Sequence, residues 1–369
     1  MFLPQRAGII YCRKNYVKVG YSRGKKKMQK KKKIGFLMAV CLLLIGCSQS
    51  PEAEALPPEE SASIVEFTRV SEAKNGQNIY VILKSYHGNY WQKVIDGVCT
   101  AAKEVDEAVY LGGIDNETDI EGQISLMDQA IEQGADAILL APVDSTYLVE
   151  TCARARGNGI PVVLIDSAIN TDDYDMCFMT DNMEAGKMAA REMIIMLKEK
   201  KHPETEPLKI GILMSTDTSQ AMVNRVSGFL EYWADYAPEQ WEIAEDILLN
   251  GGDIEKAQKD AETLLQENKD MKGIFSCNNT STIGVSKTIM KKKRTDLVIV
   301  GFDLADETRS LIQKAEYSAV SMLQNQDQMG YLGILSLDAF LRGETLQQKY
   351  YDTGITVIDN DFLMENDIS

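Results

Sequence analysis

Five short apolar runs in this 369-residue chain are each followed at once by side chains able to bind or react. Lys84, Ser85, His87, Tyr90 and Trp91 follow the first run, and Asp166 and Ser167 follow IPVVLI. Asn278 and Asn279 follow GIFSC, Asp303 follows VIVGF, and Gln324 and Asn325 follow SAVSML. Carboxylates, amides and aromatic rings in one set suit a neutral polyol. The planar polar groups exchange hydrogen bonds with hydroxyls, and a ring face covers C–H surface. Each polar residue also has an ordinary reading as a helix N-cap. Trp91 shares the apolar stripe of Val94, Ile95 and Val98 and reads equally as core, whereas Tyr90 points off it.

Catalysis is poorly supplied. The only histidines are His87, in the first loop, and His202, in the polar stretch KEKKHPETEP. His87 lacks an identifiable nucleophile or metal partner, and no GxGxxG follows the first run, nor is there a GxxxxGK[ST] or GxSxG. Asp166 and Asp303 are the one pair that would serve as acid and base, and a non-enzymatic role is expected. Cys99, Cys152, Cys177 and Cys277 show no CxxC or metal spacing and read as free thiols, three of them buried. No cofactor and no metal is expected.

The elements that must position these residues alternate without interruption. Strands are expected at 79–84, 108–113, 136–142, 160–166 and 176–181, with helices at 89–105, 120–133 and 146–156. The pattern restarts with a helix at 183–199 and strands at 209–215, 241–249, 273–278, 296–303 and 317–323, separated by helices at 220–235, 253–268, 280–291 and 306–314. A helix at 325–341 and a strand at 353–359 close the chain. Runs such as DAILLAP and IPVVLID are continuously apolar, as a parallel sheet covered on both faces requires. Two successive arrays predict an α/β protein of two doubly wound parallel-sheet lobes, with ligand beyond the carboxyl ends of the strands.

The motifs YWQKVIDG (90–97), QGADAILLAPVD (133–144), GIPVVLID (159–166), TDNMEAGK (180–187), RVSGF (225–229), IFSCNN (274–279), VIVGFD (298–303) and LQNQDQMG (323–330) occur in this order. In this respect residues 77–358 resemble the ribose-binding branch of the type I periplasmic binding proteins. The resemblance implies two lobes joined by a multi-strand hinge near Asp181, Gln324 and Thr353 and closing on a sugar. It implies that Tyr90 and Trp91 sandwich the sugar ring and that Asp166, Asn278, Asp303 and Gln324 make polar contacts. Lys84, Ser85 and Arg225 complete the expected ligand-binding set. Ser167 stands where the family carries arginine, Lys84 and Gly88 replace a serine and an asparagine, and the family's ligand-contacting arginine falls at Val223 or Arg225. These departures point away from ribose itself, and Lys84 would admit an acidic group on the ligand or sit solvated at the cleft edge.

The amino-terminal region carries a different message. Residues 1–46 hold 12 of the 39 Lys and Arg and no Asp or Glu, so the rest is strongly acidic and repels nucleic acid. Lys30 to Lys33 precede thirteen uncharged residues, IGFLMAVCLLLIG, too short to span a bilayer but suited to a signal peptide. LIGC (44–47) resembles a bacterial lipobox, with Cys47 as the lipidation site. Met28 is the natural start, which makes residues 1–27 an upstream extension. Residues 48–76 read as a flexible tether. The expected lobes are 77–181 with 325–353, and 182–324 with 354–369. The chain is thus expected to be a monomer outside the cell, lipid-anchored to its membrane, passing a sugar or polyol to an ABC importer permease or signalling to a sensor kinase.

Overall fold

The computed structural model describes residues 64–73 and 76–366. Cys47 and the basic segment, with the expected signal peptide, lie outside them. The first sheet contains β1 (Ile64–Arg69), β2 (Asn78–Leu83), β3 (Ala108–Ile114), β4 (Ala137–Leu140), β5 (Val162–Ile165), β6 (Met176–Met179) and β12 (Tyr350–Asp352) in the order β1-β3-β2-β4-β5-β6-β12. The second contains β7 (Leu208–Met214), β8 (Trp241–Leu249), β9 (Met271–Ser276), β10 (Val298–Phe302), β11 (Ser318–Gln324) and β13 (Ile355–Ile358) in the order β13-β11-β10-β9-β7-β8. The helices are α1 (Gly88–Ala101), α2 (Ile120–Glu132), α3 (Val149–Gly157), α4 (Asn182–Glu199), α5 (Gln220–Tyr236), α6 (Ile254–Glu267), α7 (Asn279–Lys292), α8 (Asp306–Ile312), α9 (Gln326–Leu341) and α10 (Asn360–Glu365).

Strand alternation sends successive side chains to opposite helical layers. Ile79, Val81 and Leu83 pack with Val94 and Val98 of α1 and with Ile334 and Leu337 of α9. Tyr80 and Ile82 face the other way, onto Leu126 and Met127 of α2 and Cys152 of α3. The second sheet repeats the scheme. Ile210, Ile212 and Phe275 pack on Met193 of α4 and Phe229 of α5, while Leu213 and Ile274 meet Leu264 of α6 and Ile289 of α7. The lobes are thus two separately buried three-layer units, as the sequence predicts.

Helices α4 and α5 approach unusually closely because glycines face backbone. A Cβ at Gly186 would stand 2.0 Å from the Arg225 carbonyl oxygen, and one at Gly228 2.0 Å from that of Met183. The TDNMEAGK and RVSGF motifs meet here, and their contact sets the position of Arg225.

Three crossings join the lobes: after β6, after β11 and between β12 and β13. Asp352 ties two of them, its carboxylate accepting from Asp181 N–H and Gly354 N–H, each at 2.9 Å. Asn325 Nδ2 donates to the Thr353 carbonyl at 2.5 Å and links the third.

Two expectations need correction. The tether expected through residue 76 already contains β1, which pairs antiparallel with β3. The ring of Phe67 packs edge-on against Tyr80, with centroids 4.7 Å apart, and Val70 N–H bonds the Val109 carbonyl at 2.8 Å. A polar, proline-rich run upstream masks this short IVEFTR strand in the sequence. The strand expected at 353–359 is present as β13, antiparallel to β11 in the second sheet, but an unexpected strand, β12, stands just before it and joins the first sheet. Both sheets therefore carry an antiparallel edge on an otherwise parallel core.

Candidate functional site

All nine side chains expected from the sequence line a single cavity of about 350 Å³ between the lobes: Lys84, Ser85, Tyr90, Trp91, Asp166, Arg225, Asn278, Asp303 and Gln324. Two aspartates anchor it from equivalent places. Asp166 follows β5 and Asp303 follows β10, and both adopt left-handed backbone, with φ of 67° and 63°. Asp166 N–H bonds Phe178 of the adjacent β6 at 3.0 Å, and Asp303 N–H bonds Met322 of the adjacent β11 at 2.9 Å. Left-handed non-glycine residues cost roughly 1–3 kcal/mol and gather at functional sites. The same strained turn at the same strand end in both lobes brings two carboxylates to one gap.

On the first lobe, Lys84 Nζ lies 2.5 Å from Asp166 Oδ2, with both side chains nearly buried. The Tyr90 hydroxyl donates to the other carboxylate oxygen, Oδ1. Burial, reinforced by the negative Asp166, holds the Tyr90 phenol well above its ordinary pKa and therefore protonated. Lys84 is neither a solvated edge lysine nor a free receptor for an acidic ligand, because Asp166 already neutralises it.

Trp91 is buried as its apolar stripe suggests, and its indole N–H donates to Glu117 Oε1 at 2.9 Å. The core and cleft readings both hold for this residue. The sandwich does not. Tyr90 and Trp91 meet edge to face, with centroids 5.0 Å apart and planes at 77°, so they cannot clamp a sugar ring between them. The apolar side chains Met222 and Ile283 line the cavity from the second lobe.

Arg225 is almost fully buried. Its Nε and Nη2 donate to Asn182 Oδ1 at 3.1 and 2.5 Å, Nη2 also donates to Gln324 Oε1 at 3.0 Å, and Nη1 donates to the Cys277 carbonyl. The guanidinium lies over the Phe302 ring, 3.8 Å from its centroid. With most donors engaged by protein, Arg225 chiefly supports the site's floor. Val223, the other candidate arginine position, is 39% exposed and lies outside the lining.

Gln324 passes the network on, its Nε2 standing 3.2 Å from both oxygens of Asp303. Gln326 Nε2 adds a bond to Asp303 Oδ1 at 2.8 Å. Burial pushes the Asp303 carboxyl up to about 7, against the opposing pull of Arg225 and Gln324. Asn278 fulfils its ordinary reading as well, capping α7 through Ser281 N–H at 3.4 Å while lining the cavity. His87 is a mouth residue, 73% exposed and 3.2 Å from Asp115.

Glu117 is the main omission from the sequence reading. It follows the 108–113 strand in GIDNET, so the strand-end rule would have found it. Burial raises its pKa despite the attraction of Lys84 and the indole bond. Gly252 of the second lobe lies across from it, and a Cβ there would be 3.5 Å from Glu117 Cβ. The lining thus carries more carboxylates than cations, and its two cations are already engaged.

The thiols take no part in the network as nucleophiles. All four described cysteines are free, and burial pushes Cys152 up to about 12 and raises Cys177 and Cys277 as well. No helix among the described residues is long and apolar enough to cross a membrane.

Residues 79–345 match the family model described as a periplasmic binding protein domain. The chain is 26% identical over 270 residues to a D-apiose import binding protein of Actinobacillus succinogenes, covering 73% of this chain and 83% of the relative. It is 24% identical over 321 residues to a ribose import binding protein of Bacillus subtilis, covering 86% and 96%. Among solved structures, it is similar to an ABC transporter solute binding protein from Agrobacterium vitis with bound D-fucose. The TM-score is 0.72 and the identity 27%, over 79% of this chain and 98% of that one.

Proposed function

Because the chain belongs to the periplasmic binding protein family, whose members bind rather than catalyse, we propose that it captures a neutral sugar or polyol by lobe closure and delivers it to an ABC importer. The observation that carries this reading is the pair of left-handed aspartates facing one cavity beside Tyr90 and Trp91. A carboxylate accepts from two adjacent hydroxyls, and an aromatic surface covers the sugar's C–H face. The relatives named for D-apiose and ribose import support the ligand class and the importer. The sensor-kinase alternative draws no support from them.

The charge balance narrows the class. Lys84 is matched by Asp166 and Arg225 is engaged, while Glu117 and Asp303 bring carboxyl groups whose ionisation burial already disfavours. A sugar acid would bring a further anion to carboxylates already raised by burial, so neutral ligands are favoured.

Anchoring belongs to the same reading. Cys47 takes a lipid after removal of the leader, residues 48–63 serve as the tether, and the monomer works outside the cell. Two acyl chains at about 0.8 kcal/mol per buried CH₂ would hold it at the membrane. Cys47→Ala is expected to release the protein into the soluble fraction.

A thermal-shift and calorimetric screen of pentoses, hexoses, polyols, sugar acids and amino acids tests the ligand class. A neutral sugar should raise the unfolding temperature and a sugar acid should not. Binding of an amino acid with no sugar hit would overturn the reading.

A further inference from the structure

Besides the hinge, the lobes meet where the first turn of α5 enters the other lobe. The N-cap of α5, Ser219, makes no side-chain capping bond. Instead Gln220 N–H donates to Ser145 Oγ at 2.8 Å, and Ala221 N–H reaches Ser167 Oγ at 3.4 Å. The Ser167 and Ser219 hydroxyls lie 3.2 Å apart, and Ser145 N–H bonds the Thr218 carbonyl at 3.2 Å. Ser145 and Ser167 belong to the first lobe and residues 218–221 to the second. All three serines are buried at this seam.

We propose that Ser145 and Ser167 are positioning residues forming a closure latch, in which hydroxyls of one lobe cap a helix of the other only when the lobes are together. This rests on the reading that the protein works by lobe closure. A helix leaves its first N–H groups without intrahelical partners, and a side-chain oxygen there stabilises it. Ser145 is held ready for that role. Its hydroxyl donates to the Ala168 carbonyl at 3.0 Å, and its own carbonyl accepts Asn170 N–H at 2.7 Å. The hydroxyl oxygen is left as an acceptor for Gln220. Opening the lobes strands both α5 donors in water.

The latch is joined to the site on both sides. Ser167 directly follows Asp166, and α5 carries Met222 and Arg225 on the cavity wall. Docking the first turn of α5 therefore presents Met222 and Arg225 to Asp166 in the same motion. Any ligand that holds Asp166 in place also holds Ser167, so the latch and the ligand favour the same state.

The seam supplies its own test without any sugar. In the full chain with Cys99→Ala, the pair Ser167→Cys and Ser219→Cys forms a disulfide under oxidised glutathione at a rate proportional to the time the lobes spend together. Adding Ser145→Ala should slow crosslinking about fivefold, with the unfolding temperature of the reduced protein nearly unchanged. Ser145→Thr, which keeps the hydroxyl, should restore the rate. Gln220→Pro removes the donor from the opposite lobe at a helix position that suits proline, and should slow crosslinking similarly. Absence of crosslinking, equal rates with and without Ser145→Ala and Gln220→Pro, or a lowered unfolding temperature at an unchanged rate would each overturn the latch. A chain that crosslinks as expected but binds no sugar would overturn only the proposed ligand.

Discussion

At the scale of single residues, the site is a chain of matched charges and amides whose members depend on one another. Lys84 and Asp166 form a nearly buried pair at 2.5 Å. Removing one partner leaves the other desolvated and alone, so Lys84→Met is expected to lower the unfolding free energy by about 3 kcal/mol, measured by urea denaturation. Asp303 has the opposite character. Burial raises its carboxyl from 3.8 to about 7, so between those values the folded protein binds this proton more readily than the unfolded chain. Its contribution to stability is therefore greatest at low pH and is lost as pH rises through about 7. Asp303→Asn should remove that loss, seen as a flatter dependence of unfolding temperature on pH between 5 and 8. Ligand hydroxyls donating to Asp303 favour its ionised form. Sugar binding near neutrality is thus expected to release a proton, measurable by calorimetry in buffers of different ionisation enthalpy.

Elements decide where these residues stand. The α4–α5 contact depends on Gly186 and Gly228 lying against backbone carbonyls, and Arg225 sits within it. A methyl group at Gly228 has no flexible neighbour to displace, because the atom it meets is the Met183 carbonyl oxygen. Gly228→Ala is therefore expected to cost on the order of 3 kcal/mol in stability and to move Arg225 away from Gln324, weakening sugar binding at least tenfold in a calorimetric titration. The strands were legible from continuous apolar runs and the helices from their periodicity. The small β1 and β12 were not, since three to six residues of mixed polarity carry no distinctive period. Their partners, β3 and β6, lie more than forty residues away along the chain.

At the scale of the whole molecule, two separately packed lobes share a three-strand hinge and a polar seam, and the cavity lies between them. Such a body changes shape by rotating its halves while each core stays intact. Addition of a saturating sugar should reduce the radius of gyration measured by small-angle X-ray scattering, with no change in secondary structure by circular dichroism. An unchanged radius would place the closed arrangement in the sugar-free protein as well.

The sequence by itself determined the repeated strand–helix order and the strand-end position of Asp166, Asn278, Asp303 and Gln324, because both follow from local periodicity and from which residue ends each apolar run. It also marked Tyr90 and Trp91, but as a sandwich, and it offered Lys84 to an acidic ligand. Only the tertiary structure set the rings edge to face, closed Lys84 onto Asp166 across 82 positions of sequence, engaged Arg225 with Asn182 and Gln324, and brought Ser145 to the end of α5. Those outcomes depend on the angle at which separate elements meet. The packing of elements within each lobe, and across the seam for Ser145, fixes that angle, and no local pattern records it.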